Sequence, residues 1–291
     1  MDYFIQLIVN GLLVGGIYGV VAVGFSLAWG VLGIINVAHG SMVILGAYFT
    51  YVLSKTGVNP LLLLPVVMLL MYGVGYAMQS VIINRVMGRS LLLTLIITFG
   101  LELILINVMV LIWTADFKSV GQLPPGHLTL GNVLIPYGRL LIFVVACSII
   151  ILTHFLLLRT RFGRAVRAVA LNRQAAQLYG VNLAQVYNHT LGISAALAGA
   201  AGVLVAMAFT FNGDSGTPYI VRAFVLTVMG GLGSIFGVLL AGLFLGVVET
   251  LGGAMLGTGF QEVIGLLLFL VIMVTRPQGL VGLRFYGEDN R

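Results

Sequence analysis

The chain has 291 residues, of which 60% are hydrophobic and 8% charged, and its mean hydropathy is +1.14; an ordinary soluble domain carries about 25% charged residues. This composition describes a polytopic membrane protein with room for about eight to ten crossings of roughly 20 residues each, and it argues against catalysis on soluble substrates. The formal net charge of +6 does not point to nucleic acid, because the charges cluster beside apolar runs, where they set orientation and meet membrane lipid.

The N-terminal MDYFIQLIVNGLL lacks the basic region of a cleavable signal, and its apolar run continues to Trp29, so it reads as a retained first span. Further spans are predicted near 34–53, 61–83, 91–113, 140–158, 188–211, 220–229, 235–250 and 260–275. The expected architecture is therefore all-α: a single transmembrane helical bundle over 1–291 with one or two short or re-entrant helices. The segment at 220–229 is too short to span and runs into Gly230, Gly231 and Gly233, which predicts a half-helix or re-entrant element. The segment at 34–53 begins among the polar residues Asn36, His39 and Ser41. Cys147 is the one cysteine, in an apolar run, and reads as a small core residue.

If all nine segments cross, Arg85, Arg89, the five arginines from Arg159 to Arg173, and Arg276, Arg284 and Arg291 fall on one side. Lys55, Lys118, Arg139 and Arg222 fall in the alternate loops. The positive-inside rule then places the N-terminus outside and the C-terminus in the cytoplasm. Within the spans, Gly11, Gly15 and Gly19, and likewise Gly242 and Gly246, recur every four residues and mark stripes where helix backbones approach closely.

Three acidic residues lie in or beside the spans. A charge near the bilayer centre costs about 2.5–3.5 kcal/mol on insertion scales, so Glu102 must face the bundle interior, a partner or water, or be protonated. It is either a pathway or proton-relay group or a structural carboxyl hydrogen-bonded to neighbouring helices. The absence of a histidine or second carboxylate one turn away favours the structural role. Glu249 and Glu262 are expected at the interface. His39 has no partner at metal-ligand spacing and reads as a structural histidine. Even so, Asn36, His39 and Ser41 interrupt apolar sequence early in the chain, and Gly230, Gly231, Gly233 and Ser234 do so late. Paired interruptions of this kind point to a pathway at the membrane midplane.

The long polar segment 159–187, RTRFGRAVRAVALNRQAAQLYGVNLAQVY, carries five of the fourteen basic residues. Arg161, Arg164 and Arg167 share one face if helical, and Ala175, Ala176 and Gly180 offer a surface of small residues that a partner's groove could accept. The alternative is a solvated basic loop that fixes topology. Neither Lys55 nor Lys118 follows a glycine, so the chain has no Walker A loop, and ATP use would require a partner.

Ala175-Ala176, three residues, then Gly180 resembles the EAA-x-x-x-G signature by which permeases of ABC importers present a coupling helix to their ATPases; here Gln174 stands at the glutamate position. GVLGIINVAHGSMVILGAY, TRFGRAVRAVALNRQAAQLYGVN, GGLGSIFGVLLAGLFLGVVE and RPQGLVG, in that order, are similar to the high-affinity branched-chain amino acid permease family. The resemblance implies a bacterial inner-membrane permease subunit that pairs with a second related permease, docks two cytoplasmic ATPase subunits, and receives substrate from a periplasmic binding protein. ATP and Mg would reside in the partner subunits and no cofactor in this chain. Arg164, Arg167, Gln174, Ala175, Ala176 and Gly180 would carry the coupling, and the chain would not itself be an enzyme. The competing reading is a stand-alone secondary transporter or channel coupled through Glu102.

Overall fold

The computed structural model describes residues 2–88, 90–121, 123–276 and Gly279. Its elements, in chain order, are α1 (Asp2–Leu32), α2 (His39–Ser54), α3 (Pro60–Val81), α4 (Leu91–Trp113), β1 (His127–Leu130), β2 (Val133–Pro136), α5 (Tyr137–Arg159), α6 (Arg161–Leu171), α7 (Arg173–Leu178), α8 (Leu183–Ala208), α9 (Thr217–Gly230), α10 (Ile235–Leu256) and α11 (Gln261–Thr275). Among the described residues, six helices are long and apolar enough to cross a membrane: α1, α3, α4, α5, α8 and α10. The remaining apolar helices are shorter, with 16 residues in α2, 14 in α9 and 15 in α11. The molecule is thus an all-α membrane bundle with one small β-hairpin.

Helix boundaries follow local chemistry. Asn59, Ser90, Thr160, Asn172, Asn182 and Ser234 each accept a backbone N–H at the start of the helix that follows, which satisfies donors that a helix start leaves unpaired. Capping by Asn182 starts α8 at Leu183, earlier than the apolar run at 188 suggests. At its other end, α1 passes Trp29 and stops at Leu32 because Gly33 takes φ +67. The next residues are not helical, so α2 begins at His39 rather than near 34.

Two helix pairs dominate the packing: α1 against α10 and α3 against α8. In the first pair the two predicted glycine stripes face each other. A Cβ added at Gly11 would lie 2.6 Å from Val247 Cα, and one at Gly15 would lie 2.6 Å from the Gly242 carbonyl oxygen. The second pair uses the same device, since a Cβ at Gly75 would lie 2.6 Å from the Leu191 carbonyl oxygen. Small residues permit such close approach, and dispersion then holds helices together where lipid provides no hydrophobic drive. The arrangement repeats: α2 packs on α3 and α4 as α9 packs on α10 and α11. Each short helix therefore holds an equivalent place, with α8 completing the group formed by α2, α3 and α4, and α1 completing the group formed by α9, α10 and α11. The Ala- and Gly-rich α8 is almost wholly enclosed, while α4 and α5 present most of their surface outward.

The hairpin was not evident in the apolar pattern. Its turn places Gly131 at φ +61. It is tied to the start of α1 by Asn132 Nδ2 donating to Asp2 at 2.8 Å and by Gln6, which both donates to and accepts from the backbone of Leu134. Cys147 is half-buried on α5 rather than a core residue.

Candidate functional site

Between α1 and α2 the chain runs extended into the bundle. The Asn36, His39 and Ser41 side chains are fully enclosed there, at 1%, 0% and 0% exposure. His39 Nε2 lies 3.0 Å from the Val21 carbonyl. A carbonyl only accepts, so Nε2 carries the proton and Nδ1 does not. Nδ1, together with Asn36 Oδ1 and Ser41 Oγ, has no hydrogen-bond partner. The predicted structural histidine is thus satisfied on one side only. The N-terminus of α2 has no side-chain cap, and neither has that of α9. The two starts abut: a Cβ at Gly216 would lie 2.9 Å from both Gly40 C and Ser41 N. Two uncapped helix N-termini, each carrying partial positive charge, therefore meet inside the bundle beside buried polar atoms.

This meeting corrects the expected pairing of interruptions. The late group Gly230, Gly231, Gly233 and Ser234 does not face Asn36 and His39. It forms the tight turn between α9 and α10, with Gly231 at φ +92 and Gly233 at φ +80. The Gly233 N–H donates to Ser26 Oγ, and Ser234 Oγ caps α10 by accepting from Gly237. The true counterpart of the early break is 209–216, which follows α8. The Asn-Gly-Asp-Ser-Gly run and Pro218 are a turn and helix-start signal that the apolar stretches on either side obscure.

The acidic residues also depart from expectation. Glu102 is buried at 6% exposure on the face of α4 that carries Thr94 and Thr98, yet no described residue hydrogen-bonds or ion-pairs its carboxyl, so it is not the tethered structural group expected. Glu249 is enclosed by protein, at 4% exposure. Both its oxygens lie 3.1 Å from Arg222 Nε, and Glu262, more than half exposed, lies 3.8 Å from Arg222 Nη2. Arg222 is consequently not a loop residue that sets topology. It sits within α9 with its guanidinium 4.9 Å from the Tyr18 ring centre and clamps the half-helix to α1, α10 and α11. A buried arginine is tolerable only with such charged and hydrogen-bonded company.

The segment 159–187 folds as α6, α7 and the start of α8. Arg161 and Arg164 are exposed on α6, whereas Arg167 turns back to donate to the Leu157 and Leu158 carbonyls at the end of α5. In α7, Gln174 is exposed, Ala175 half-buried and Ala176 buried. Of the small-residue surface expected from Ala175, Ala176 and Gly180, Ala176 is turned into the bundle while Gly180 is exposed. Gly180, at φ +81, closes α7: its N–H donates to the Gln177 carbonyl and that of Val181 to the Ala176 carbonyl. This glycine is required by backbone geometry. The exposed tip carries Leu178 and Tyr179, 89% and 90% exposed, an apolar pair that the motif did not reveal. Beside this face, a cavity of about 590 Å³ lies between the ends of α1 and α5, α6 and the α9–α10 turn, walled by Trp29, Leu157, Arg167, Arg173, Leu232 and Phe236 among others.

The family described as branched-chain amino acid transport system / permease component matches residues 7–275. The permease protein BraD of the high-affinity branched-chain amino acid transport system of Pseudomonas aeruginosa is 32% identical, with 96% of each chain covered. The corresponding LivH of Escherichia coli is 29% identical, again over 96% of each chain. A second permease protein of that system, LivM of Escherichia coli, is 27% identical over 91% of this chain and 68% of its own length. The chain belongs to the permease family of branched-chain amino acid transport systems.

Proposed function

We propose that this chain is a membrane-spanning permease subunit of a bacterial ATP-binding-cassette importer that moves branched-chain or related amino acids across the inner membrane. The observation that carries this reading is the end-to-end similarity to BraD and LivH. Similarity to both LivH and LivM supports a second, related permease as partner. Two ATPases holding ATP and Mg would dock on the cytoplasmic face of 159–187, and a periplasmic binding protein would deliver substrate on the other. In this reading residues 1–291 form one transmembrane domain.

The helix breaks suit that task. All nine segments would cross, α2 and α9 each completing a crossing together with the extended chain before it. Arg85, Arg159, Arg161, Arg164, Arg167, Arg173 and Arg276 then share the cytoplasmic side, while Lys55, Lys118 and Arg139 lie outside; Arg89, Arg284 and Arg291 fall beyond the described residues. A substrate zwitterion passing the α2–α9 junction would present its carboxylate to two helix N-termini, with Asn36, His39 and Ser41 as polar neighbours and Glu102 on the adjoining helix. Gly230, Gly231, Gly233 and Ser234 would act as the cytoplasmic hinge of α9. Arg164, Gln174, Leu178 and Tyr179 would meet the ATPase, with Ala175, Ala176 and Gly180 holding α7 in shape and Arg167 fixing α6 to α5.

The test is a mild-detergent pull-down of the tagged chain from its native membrane with mass spectrometry of the co-purifying proteins. Two Walker-motif ATPases and a second permease are expected. Recovery of the chain alone, with uptake blocked by an uncoupler and indifferent to vanadate, would contradict the reading. The double variant Leu178→Ala, Tyr179→Ala should reduce ATPase recovery by at least about tenfold, as truncating an exposed anchor pair does, without lowering membrane insertion.

A further inference from the structure

We infer that Arg173 is the mechanical link between the cytoplasmic helix α7 and the first helix break. Arg173 opens α7, and its Nη2 donates to the Leu32 carbonyl at 2.7 Å. Leu32 is the last residue of α1, where helix carbonyls lack intrahelical partners and a cation is favoured by the helix dipole. The next residue, Gly33, holds φ +67 and starts the extended segment that leads to His39. Space at this point is reserved for the guanidinium: a Cβ at Gly33 would lie 2.6 Å from Arg173 Nη2. The guanidinium also sits 5.9 Å from the ring centre of Tyr187, near the start of α8. One side chain on the short helix therefore touches the end of α1 beside the first break and the first turns of α8, whose far end leads to the second.

The cavity of about 590 Å³ beside it has Arg173, Gly33 and the α9–α10 turn in its wall, so this corner borders open space on one side. A displacement of α7 is passed to the Leu32–Gly33 corner by a charge-assisted hydrogen bond, and from there to the chain that positions His39 and Gly40 against Gly216. Arg173 thus acts as a positioning residue and touches no substrate. This inference rests on the importer reading above, since it requires that force arrive at α7.

The experiment uses the complete transporter, with its ATPases, second permease and binding protein, in proteoliposomes. Uptake per ATP hydrolysed is compared for wild type, Arg173→Ala, Arg173→Lys and Gly33→Ala. Arg173→Ala is expected to retain the ATPases at the wild-type ratio and to hydrolyse ATP, while uptake per ATP falls roughly tenfold to a hundredfold, the change that loss of a charge-assisted hydrogen bond corresponds to. Arg173→Lys, which keeps the charge and one donor, should recover part of the coupling. Gly33→Ala should also lower uptake per ATP, both by displacing the guanidinium and by straining a backbone held at φ +67, and serves as a second perturbation of the same corner. Normal uptake per ATP in Arg173→Ala would overturn the inference. Loss of ATPase retention in Arg173→Ala would overturn it as well, in favour of a docking role. Should Arg173→Ala fail to insert, Arg173→Gln takes its place: reduced uptake per ATP with the ATPases retained supports the inference, and normal uptake per ATP overturns it. Wild-type uptake that is indifferent to ATP would instead reject the importer reading itself.

Discussion

The two helix breaks that meet at Gly40 and Gly216 are built alike and tethered differently. The first is fastened from the α6–α7 end of the bundle and from within: Arg173 holds the Leu32 carbonyl, Thr98 Oγ1 donates to the Ile35 carbonyl at 3.2 Å, and His39 reaches the Val21 carbonyl. The second is fastened from the opposite end, where Lys118 and Phe211 exchange backbone hydrogen bonds of 2.8 and 2.9 Å and Val120 N–H donates to the Ala206 carbonyl. Its own turn is closed by Ser215 and Asn212. The half-helices differ too. A buried ion pair holds α9 through Arg222, whereas packing holds α2, with Tyr48 stacked on Trp113 at 4.7 Å and edge-on to Phe211 at 5.1 Å. One junction is therefore tethered from both ends of the bundle, an arrangement that would suit the proposed pathway opening to one side at a time.

The largest expected effect lies in the charged clamp. Arg222→Ala leaves Glu249 buried without its partner and should destabilise the protein by about 3–5 kcal/mol, seen as a large fall in Tm in detergent. Replacing both Arg222 and Glu249 by methionine should restore most of that stability, and failure to do so would mean that the clamp holds α9 by more than charge compensation. At the junction itself, Gly216→Val drives side-chain atoms into the backbone of Gly40 and Ser41, an overpacking of about 1–3 kcal/mol, and uptake should be lost even in protein that inserts. On the first break alone, Thr98→Val removes one hydrogen bond worth about 1 kcal/mol and should lower Tm slightly while leaving the second break intact. Equal sensitivity of both breaks, read by cysteine accessibility on either side, would remove the distinction between their tethers.

The smallest effect is expected at the loop that anchors the second break. The Thr114 hydroxyl, at 2.7 Å, and the Lys118 ammonium hold the exposed Asp116 carboxyl below the usual carboxylate range. A carboxyl lowered in the fold contributes stability above its unfolded value and loses it as pH falls through the lowered one. Asp116→Asn should thus lower Tm marginally at neutral pH, and the difference from wild type should vanish in acid.

Much of this was legible in the sequence, for reasons specific to each element. The 91–113 span matches α4 residue for residue because Ser90 caps a predominantly apolar run with no proline to break it. The glycine stripes of α1 and α10 were visible as four-residue spacing, though not that each is the other's partner. The break at Asn36–Ser41 was visible because polar residues stand in an apolar context. Its counterpart at 209–216 was hidden by the apolar residues Phe209 and Phe211 and by an aspartate that reads equally as an outer loop. Arg222 was misread for a general reason: a lone arginine in a short segment is indistinguishable from a loop residue until the tertiary fold brings Glu249 and Glu262 to it from two later helices. Likewise, Ala176 and Gly180 carried a recognisable spacing that does not reveal that Ala176 makes a buried contact or that the exposed Gly180 closes a left-handed turn.

The most direct test of the α2–α9 junction as the moving part is a reversible cross-link. In a Cys147→Ala background, Ser41→Cys and Thr217→Cys place thiols on the abutting helix starts, and uptake into proteoliposomes carrying the complete transporter is measured before oxidation, after it, and after reduction. The account predicts that the cross-linked protein retains its ATPases and hydrolyses ATP but does not transport, and that reduction restores uptake. Wild-type transport by the cross-linked protein would contradict it.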